Sequence, residues 1–402
     1  MELKSGYKQT EVGAIPEDWE VSNVGIEFDI QLGKMLDAEK NLGMPKFYLG
    51  NRAVQWGKID TSDLSLVRLS PSDLLRFRLK KGDLLVCEGG EVGRAAIWEE
   101  PITECYYQKA LHRLRPTRGF DTLLMLYLLN YWSDHGMLAN YVTQTSIAHL
   151  TREKFAVVPI PLPPLPEQRA IAAALSDTDA LLSSLDRLLV KKRDIKQGVM
   201  QQLLTGKQRL SGFSGKWEVK RLGDVCQIGM GRTPSRRMQT FWGKGYPWLS
   251  IADLKTKYVS ETKEEITPLA ASSMTVIPKG TLIMSFKLSI GRMAFTARDM
   301  YSNEAICSFG DLKMNADFLY YILGQTDFSF YGKQAVKGFT LNSESLRIIK
   351  VAYPPIEEQT AIAAVLSVMD AEIEALQRRW DKTRAVKQGM MQELLTGRTR
   401  LV

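Results

Sequence analysis

Histidine and cysteine are scarce in this chain of 402 residues, which carries three of the first and four of the second. His112, His135 and His149 are scattered, which leaves little for a His-based metal site or catalytic triad. Cys87, Cys105, Cys226 and Cys307 form no CxxC pair, so a disulfide framework or zinc site is disfavoured and reduced packing cysteines are expected. No apolar run approaches the roughly 20 residues that span a bilayer. The opening MELKSGYKQTEVGAIPEDWE has no signal-peptide core, which points to a cytoplasmic protein without membrane contact.

Catalytic motifs are missing too. Glu88–Gly93 is glycine-rich but has neither a Walker lysine nor GxGxxG spacing, and Gly229–Arg232 is too short for a dinucleotide fingerprint. Pro163-Pro164 lacks the polar and aromatic neighbours of an amino-methyltransferase tetrapeptide. Asp253-Leu254-Lys255 resembles the end of a nuclease motif but has no partner acid at a suitable spacing. The chain reads as non-catalytic, with no cofactor or metal of its own.

What the chain does contain is a repeat. Pro163–Leu210 aligns without gaps to Pro354–Leu401 at a constant offset of about 191 residues, with over half the positions identical. The segments in front of each copy are related more distantly. Trp19-Glu20-Val21 recurs as Trp217-Glu218-Val219, and residues 79–98 lie over 276–295, with Lys81-Gly82 on Lys279-Gly280 and Gly93-Arg94 on Gly291-Arg292. Two similar scaffolds therefore carry two diverged heads. The net charge of +8 is compatible with a polyanionic partner but does not demand one.

Each head reads as mixed α/β (α+β). Short β-rich runs at Asp83–Cys87, Ala95–Trp98, Thr281–Phe286 and Arg292–Thr296 are bounded by glycine turns, and helices are expected at Thr122–Trp132 and Ala316–Gly324. Both heads should end in extended, proline-closed runs, Phe155–Pro164 and Leu346–Pro355. The repeats read as helices of roughly 35 residues, about 50 Å long. Pro166-Glu167 and Glu357-Glu358 suit helix starts, and Gly206 and Gly397 suit left-handed caps.

A four-three spacing marks an apolar seam through Ile171, Leu175, Leu182, Leu185, Leu189, Val199 and Leu203 in the first copy. The second copy has Ile362, Leu366, Met369, Ile373, Leu376, Trp380, Met390 and Leu394. Thr178, Lys192, Lys196, Thr383 and Lys387 interrupt it. An antiparallel coiled coil of two long helices, pseudo-twofold symmetric, would bury both seams. Gly198 and Gly389, inside the helices, suggest close backbone approach. The segments are then 1–158 (first head), 159–210 (helix), 211–349 (second head) and 350–402 (helix).

Basic residues interleave with aromatics on loop-like stretches, which suits phosphate contacts and base-edge readout. In the second head the stretch runs from Gly231-Arg232 through Arg236-Arg237 and Phe241-Trp242 to Lys244 and Lys255. The first head has Lys34 through Arg52 to Trp56 and Lys58. The bland alternative is an exposed loop with Trp242 or Trp248 tucked into the core.

With its front YKQTEVGAIPEDWEV, the KKGDLLVCEGGEVGRAAIW and YYQKALHRLRP runs, GRTPSRR, FWGKGYPWLSIADLK and the PLPPLPEQ and KQGVMQQLLTG helices, the chain resembles specificity subunits of type I restriction–modification enzymes. The resemblance covers nearly the whole length. It implies two target-recognition domains, each binding one half of a split, asymmetric site in double-stranded DNA, with the helices setting the spacer. It also implies two methylation subunits that use S-adenosylmethionine, and two motor–nuclease restriction subunits that use ATP and Mg2+. Inside the matching motifs, the expected DNA contacts are Lys34, Arg52, Lys58, Arg94 and Lys109 in the first head, with Gln108 suited to adenine. In the second they are Arg232, Arg236, Arg237, Lys244 and Lys255. The first head has Gly33-Lys34-Met35-Leu36 where the second has a GxTPS pattern, which loosens the loop assignment there. Other classes are a stand-alone repressor or architectural protein and a fused enzyme with an unrecognised site.

Overall fold

In the computed structural model Leu84–Cys87 is a strand with every residue buried, which requires cover on both sheet faces. Its alternate side chains serve two cores. Leu84 and Val86 face a large core with Leu124, Met125, Leu128 and Leu129, while Leu85 and Cys87 join Leu49, Leu69, Trp98 and Tyr107. The same alternation recurs in Leu282–Ser285, where Leu282 and Met284 enter one core and Ile283 another.

The structure describes residues 5–37, 39, 41–144, 148–335 and 338–401. It divides into two units, residues 1–186 with 378–402 and residues 187–377. In the first unit an antiparallel sheet has the order Ala95–Ile97, Leu84–Cys87, Leu111–Pro116, Phe28–Leu32. A second sheet has the order Tyr106–Tyr107, Met44–Leu49, Ser65–Leu69, its first pair parallel. The helix Thr122–Asp134 starts at Asp121, whose carboxylate accepts from the amides of Leu123 and Leu124. The second unit repeats the plan with five strands, Gln227–Met230, Ile306–Gly310, Leu282–Ser285, Met293–Thr296 and Tyr258–Val259, beside Glu264–Ile266, Trp242–Leu249 and Tyr301–Ser302. Its helix is Ala316–Gly324.

The recurring Trp-Glu-Val opens each head on an edge strand, and that strand pairs with the one that closes the head. Glu20–Asn23 pairs with Pro159–Leu162, and Glu218–Arg221 with Lys350–Tyr353. The expected extended runs are therefore shorter than read from sequence. Phe155 lies in a helix, Arg152–Ala156, capped by Thr151, and Leu346 lies in Ser343–Arg347, capped by Asn342. Side-chain caps at both sites favour a helical turn before the proline-rich exit.

The long helices are Leu165–Leu203 and Ile356–Leu395, of 39 and 40 residues. Each contributes a segment to each unit. In the first unit Asp179 pairs with Lys387 at 2.6 Å and Glu167 with Arg400 at 2.7 Å. In the second, Lys192 pairs with Glu372 at 2.6 Å, and Lys196 with Asp370. Later residues of one repeat meet earlier residues of the other, so the segments run antiparallel within each unit. Leu175, Leu185, Leu189 and Leu366 are buried; Leu182, Ile373, Leu376 and Trp380 are half-buried. The lysines that interrupt the seam form these cross-helix ion pairs.

Gly206 and Gly397 adopt φ of +68° and +69°. Gly198 and Gly389 contradict the expected close approach, because a Cβ at either would meet nothing within 4 Å. Nothing in the structure explains these two glycines.

Heads and helices are joined by one repeated clasp. Glu167, its side chain fully buried, accepts from Trp19 Nε1 at 2.9 Å and from Arg400 Nε and Nη2 at 2.7 and 2.8 Å. Glu358 does the same with Trp217 at 2.9 Å and Arg209 at 2.5 and 2.6 Å. Burial alone would raise the Glu167 carboxyl, but Arg400 and Trp19 hold it below the usual carboxylate range. The neighbouring Gln168 accepts from the Asp121 amide and donates to Pro163 O; Gln359 treats the Asn315 amide and Pro354 O alike.

Candidate nucleic-acid interface

In the first head three loops converge where the parallel strand pair ends. The Lys34 amide donates to Tyr107 O at 2.9 Å, the Lys109 amide to Lys34 O at 2.8 Å, and the Gln108 amide to Leu49 O at 3.0 Å. Gly33 permits this approach, since a Cβ there would strike the carbonyl oxygens of Tyr107 and Gln108. Lys34, Arg52, Gln108 and Lys109, far apart in sequence, thus share one neighbourhood.

Their states differ. Lys34 is tied to Asp73 at 2.8 Å. Although burial would raise the Asp73 carboxyl, Lys34 and Ser70 hold it low. Arg94 bonds Asn51 O at 3.0 Å and Glu91 at 3.2 Å, and its side chain is only 14% exposed, so it braces a loop. Arg52, Lys58 and Lys109 are exposed. Among the described residues, the side chains of Arg52 and Gln108 form no hydrogen bond or ion pair.

The second head builds the same junction from other residues. The Arg232 amide donates to Ser302 O at 2.8 Å and the Asn303 amide to Leu249 O at 2.9 Å. Gly231 plays the part of Gly33, facing Asn303 O and Ser302. Asn303 is thus the counterpart of Gln108, a residue that sequence reading missed. Arg236 sits 3.7 Å from the Trp242 ring centroid and is bidentate to Glu264 at 2.5 and 2.9 Å. That pairing raises the guanidinium and lowers the carboxyl. Trp248 is 2% exposed and belongs to the core, whereas Trp242 is half-buried and packs edge-on against it. Arg232, Arg237, Lys244 and Lys255 are exposed.

All four cysteines are buried and free, and burial pushes the Cys105 and Cys226 thiols up to about 12. Among the described residues no group of three His, Cys, Asp or Glu side chains could hold a metal ion. No helix of the described residues is long and apolar enough to cross a membrane.

Comparison with known proteins gives a consistent picture. The profile of the type I restriction modification DNA specificity domain matches twice, at residues 16–190 and 214–380. The chain is 27% identical over 425 residues to the putative type I restriction enzyme MjaX specificity subunit of Methanocaldococcus jannaschii, covering 99% of this chain and 97% of that protein. It is 24% identical over 431 residues to the MjaVIII specificity subunit of the same organism, with the same coverage. Among solved structures, the type I restriction–modification S subunit from M. genitalium has a TM-score of 0.60 at 15% identity, covering 98% of both chains. A chain from a type I R-M system solved for its assembly and conformational transition has a TM-score of 0.61 at 19% identity, covering 95% of this chain and 99% of that one. These two share its fold.

Proposed function

Because the chain belongs to the family of type I restriction modification DNA specificity domains, we propose that it is the sequence-reading subunit of a type I restriction–modification complex. Each head reads one half of a split, asymmetric DNA site. The long helices set the spacer and dock two methylation subunits, which methylate adenine with S-adenosylmethionine. Two motor–nuclease subunits, using ATP and Mg2+, cut unmodified DNA. The chain itself performs no reaction.

The observation that carries this reading is the junction built twice with different side chains. The backbone bonds of Lys34 and Gln108 recur at Arg232 and Asn303, while the surrounding chemistry changes from Arg52 and an open cavity to a clamped Arg236. A repeated frame with altered polar groups is what two readers of unlike half-sequences require.

The test is co-expression with a cognate methylation subunit, followed by modified-base sequencing of host DNA. Methylation of a split, asymmetric site that depends on this chain supports the proposal. A continuous palindrome, or methylation by this chain alone, overturns it. Exchanging residues 22–155 for another family member's first head should change one half-site and leave the other.

A further inference from the structure

The first head contains a cavity of about 540 Å³ lined in part by Tyr48, Asn51, Arg52, Asp63, Ser65 and Gln108. We infer that this cavity reads an adenine in the first half-site, with Gln108 as the bidentate reader and Asp63 as the group that rejects guanine. The inference rests on the DNA-reading function proposed above and assigns part of its specificity to particular atoms.

Gln108 is held from both sides of its backbone, its amide on Leu49 O and its carbonyl accepting from the Leu111 amide, each at 3.0 Å. A Cβ at position 50 would come within 3.3 Å of Gln108 Nε2, so Gly50 leaves the room this amide occupies. Asn51 donates through Nδ2 to Gly89 O at 3.0 Å. That bond fixes the orientation of the side-chain amide. Its Oδ1 is buried without a hydrogen-bond partner. Among the described residues, Asp63 and Arg52 also lack a side-chain partner. A free carboxylate and a free amide thus line one hollow, with Asn51 bracing its wall.

This set selects among base edges. Adenine presents an N6 donor beside an N7 acceptor in the major groove, and one carboxamide satisfies both. Guanine presents two acceptors there, which would leave the Asp63 carboxylate facing oxygen or nitrogen without a proton between them. A phosphate in the hollow would be repelled by Asp63 and by Asp60, which also lines it. Arg52, exposed at the same site, carries the charge that a neighbouring backbone phosphate needs. In the second head the corresponding place is filled. Glu264 pairs with Trp248 in the register where Ser65 pairs with Tyr48, and Arg236 lies between them, 5.1 Å from the Trp248 ring centroid and bonded to Glu264. The adenine reading therefore concerns the first head alone.

The experiment compares methylation motifs from cells expressing a cognate methylation subunit with the wild-type chain, Gln108→Ala, Gln108→Glu or Asp63→Asn. With Gln108→Ala, one adenine of the half-site that follows residues 22–155 should become degenerate, with methylation of the original site falling about ten- to one-hundredfold. Gln108→Glu keeps the side chain's size but only accepts, and should move that position toward cytosine. Asp63→Asn should admit guanine there. An unchanged motif with both Gln108 variants, a change in the other half-site, or a uniform loss of methylation with Gln108→Glu at an unchanged motif each overturns the inference. If the wild-type chain directs no split-site methylation, the broader function fails as well; if it does and the Gln108 variants keep the motif, this inference alone fails.

Discussion

Replacing Arg400 by alanine should loosen the first unit and spare the second. Arg400 makes two hydrogen bonds to Glu167 and two to Asp18. The Asp18 pair contributes little, because that carboxylate is 55% exposed and water replaces the contact. Glu167 is different. Its side chain has no exposure, and after the substitution its charge keeps Trp19 Nε1 as its one side-chain donor. Leaving a buried charge without its partner costs about 3–5 kcal/mol. Arg400 is itself 26% exposed, so water can reach the site and the lower end, about 3 kcal/mol, is expected. That raises the open population of the unit by roughly two powers of ten.

Amide hydrogen exchange read by mass spectrometry separates the units. The helix residues Leu124–Leu129 report on the first and Phe318–Leu323 on the second, both buried in their own cores. Arg400→Ala should speed exchange about a hundredfold in the first set and leave the second unchanged; Arg209→Ala, which breaks the Glu358 clasp, should do the reverse. Replacing Glu167 and Arg400 together by leucine should recover part of the loss, since no buried charge is then stranded and only the Trp19 indole N–H is left without its acceptor. Equal acceleration of both helices by Arg400→Ala, or of neither, would refute the clasp as the local fastening of each head.

Two further outcomes follow from single residues. Gly198→Ala and Gly389→Ala should each raise stability by about 1 kcal/mol, because a Cβ enters open space in a helix interior; thermal melting of the isolated chain checks this. His112 is fully buried, its Nε2–H donating to Leu150 O at 2.7 Å, and burial holds its pKa at about 4, against 6.5 when unfolded. The unfolded chain binds the proton first as pH falls, so stability is full above pH 6.5 and declines between 6.5 and 4, by about 3 kcal/mol in all. Urea midpoints of the first unit across that range should show the decline, and His112→Gln should flatten it.

What was legible in the sequence was whatever neighbouring residues decide. The fully apolar run at Leu84–Cys87, the glycines that bound it and the duplicated EQ and KQG motifs announce strands, turns and a repeated helix. The convergence at the candidate interface is not local. Tyr106–Tyr107 lies parallel to Tyr48–Leu49, and only that pairing brings Gln108 beside Arg52 and makes Asn303 its counterpart. Nor does a list of basic residues reveal which are already paired. Lys34 and Arg236 sit against Asp73 and Glu264, acids that no spacing rule connects to them. Lys192, Lys196 and Lys387 look like flaws in an apolar seam, because the carboxylates that meet them lie on the other repeat.

The two units also show how such contacts diverge. Lys257, just before the strand Tyr258–Val259, reaches Asp317 at 2.8 Å and lies 5.1 and 4.9 Å from the rings of Tyr320 and Tyr321. The matching residue before Lys58–Ile59 is Gly57, and Leu123 and Leu126 stand where Asp317 and Tyr320 do. A cavity of about 370 Å³, lined by Trp56, Gly57, Leu123, Leu126 and Tyr127 among others, replaces the filled site. The cation, its acid and the neighbouring rings of Tyr258 and Tyr320 are absent together. A half-removed set would strand a poorly solvated charge, so intermediates with one member missing are the unstable ones. The same argument, applied to Glu167 and Glu358, explains why both clasps keep every member. Each glutamate ties a head's tryptophan to an arginine from the other repeat, so no single substitution can alter one partner without exposing the other two. Heads can change their reading chemistry in sets, while the fastening to the helices stays as it was.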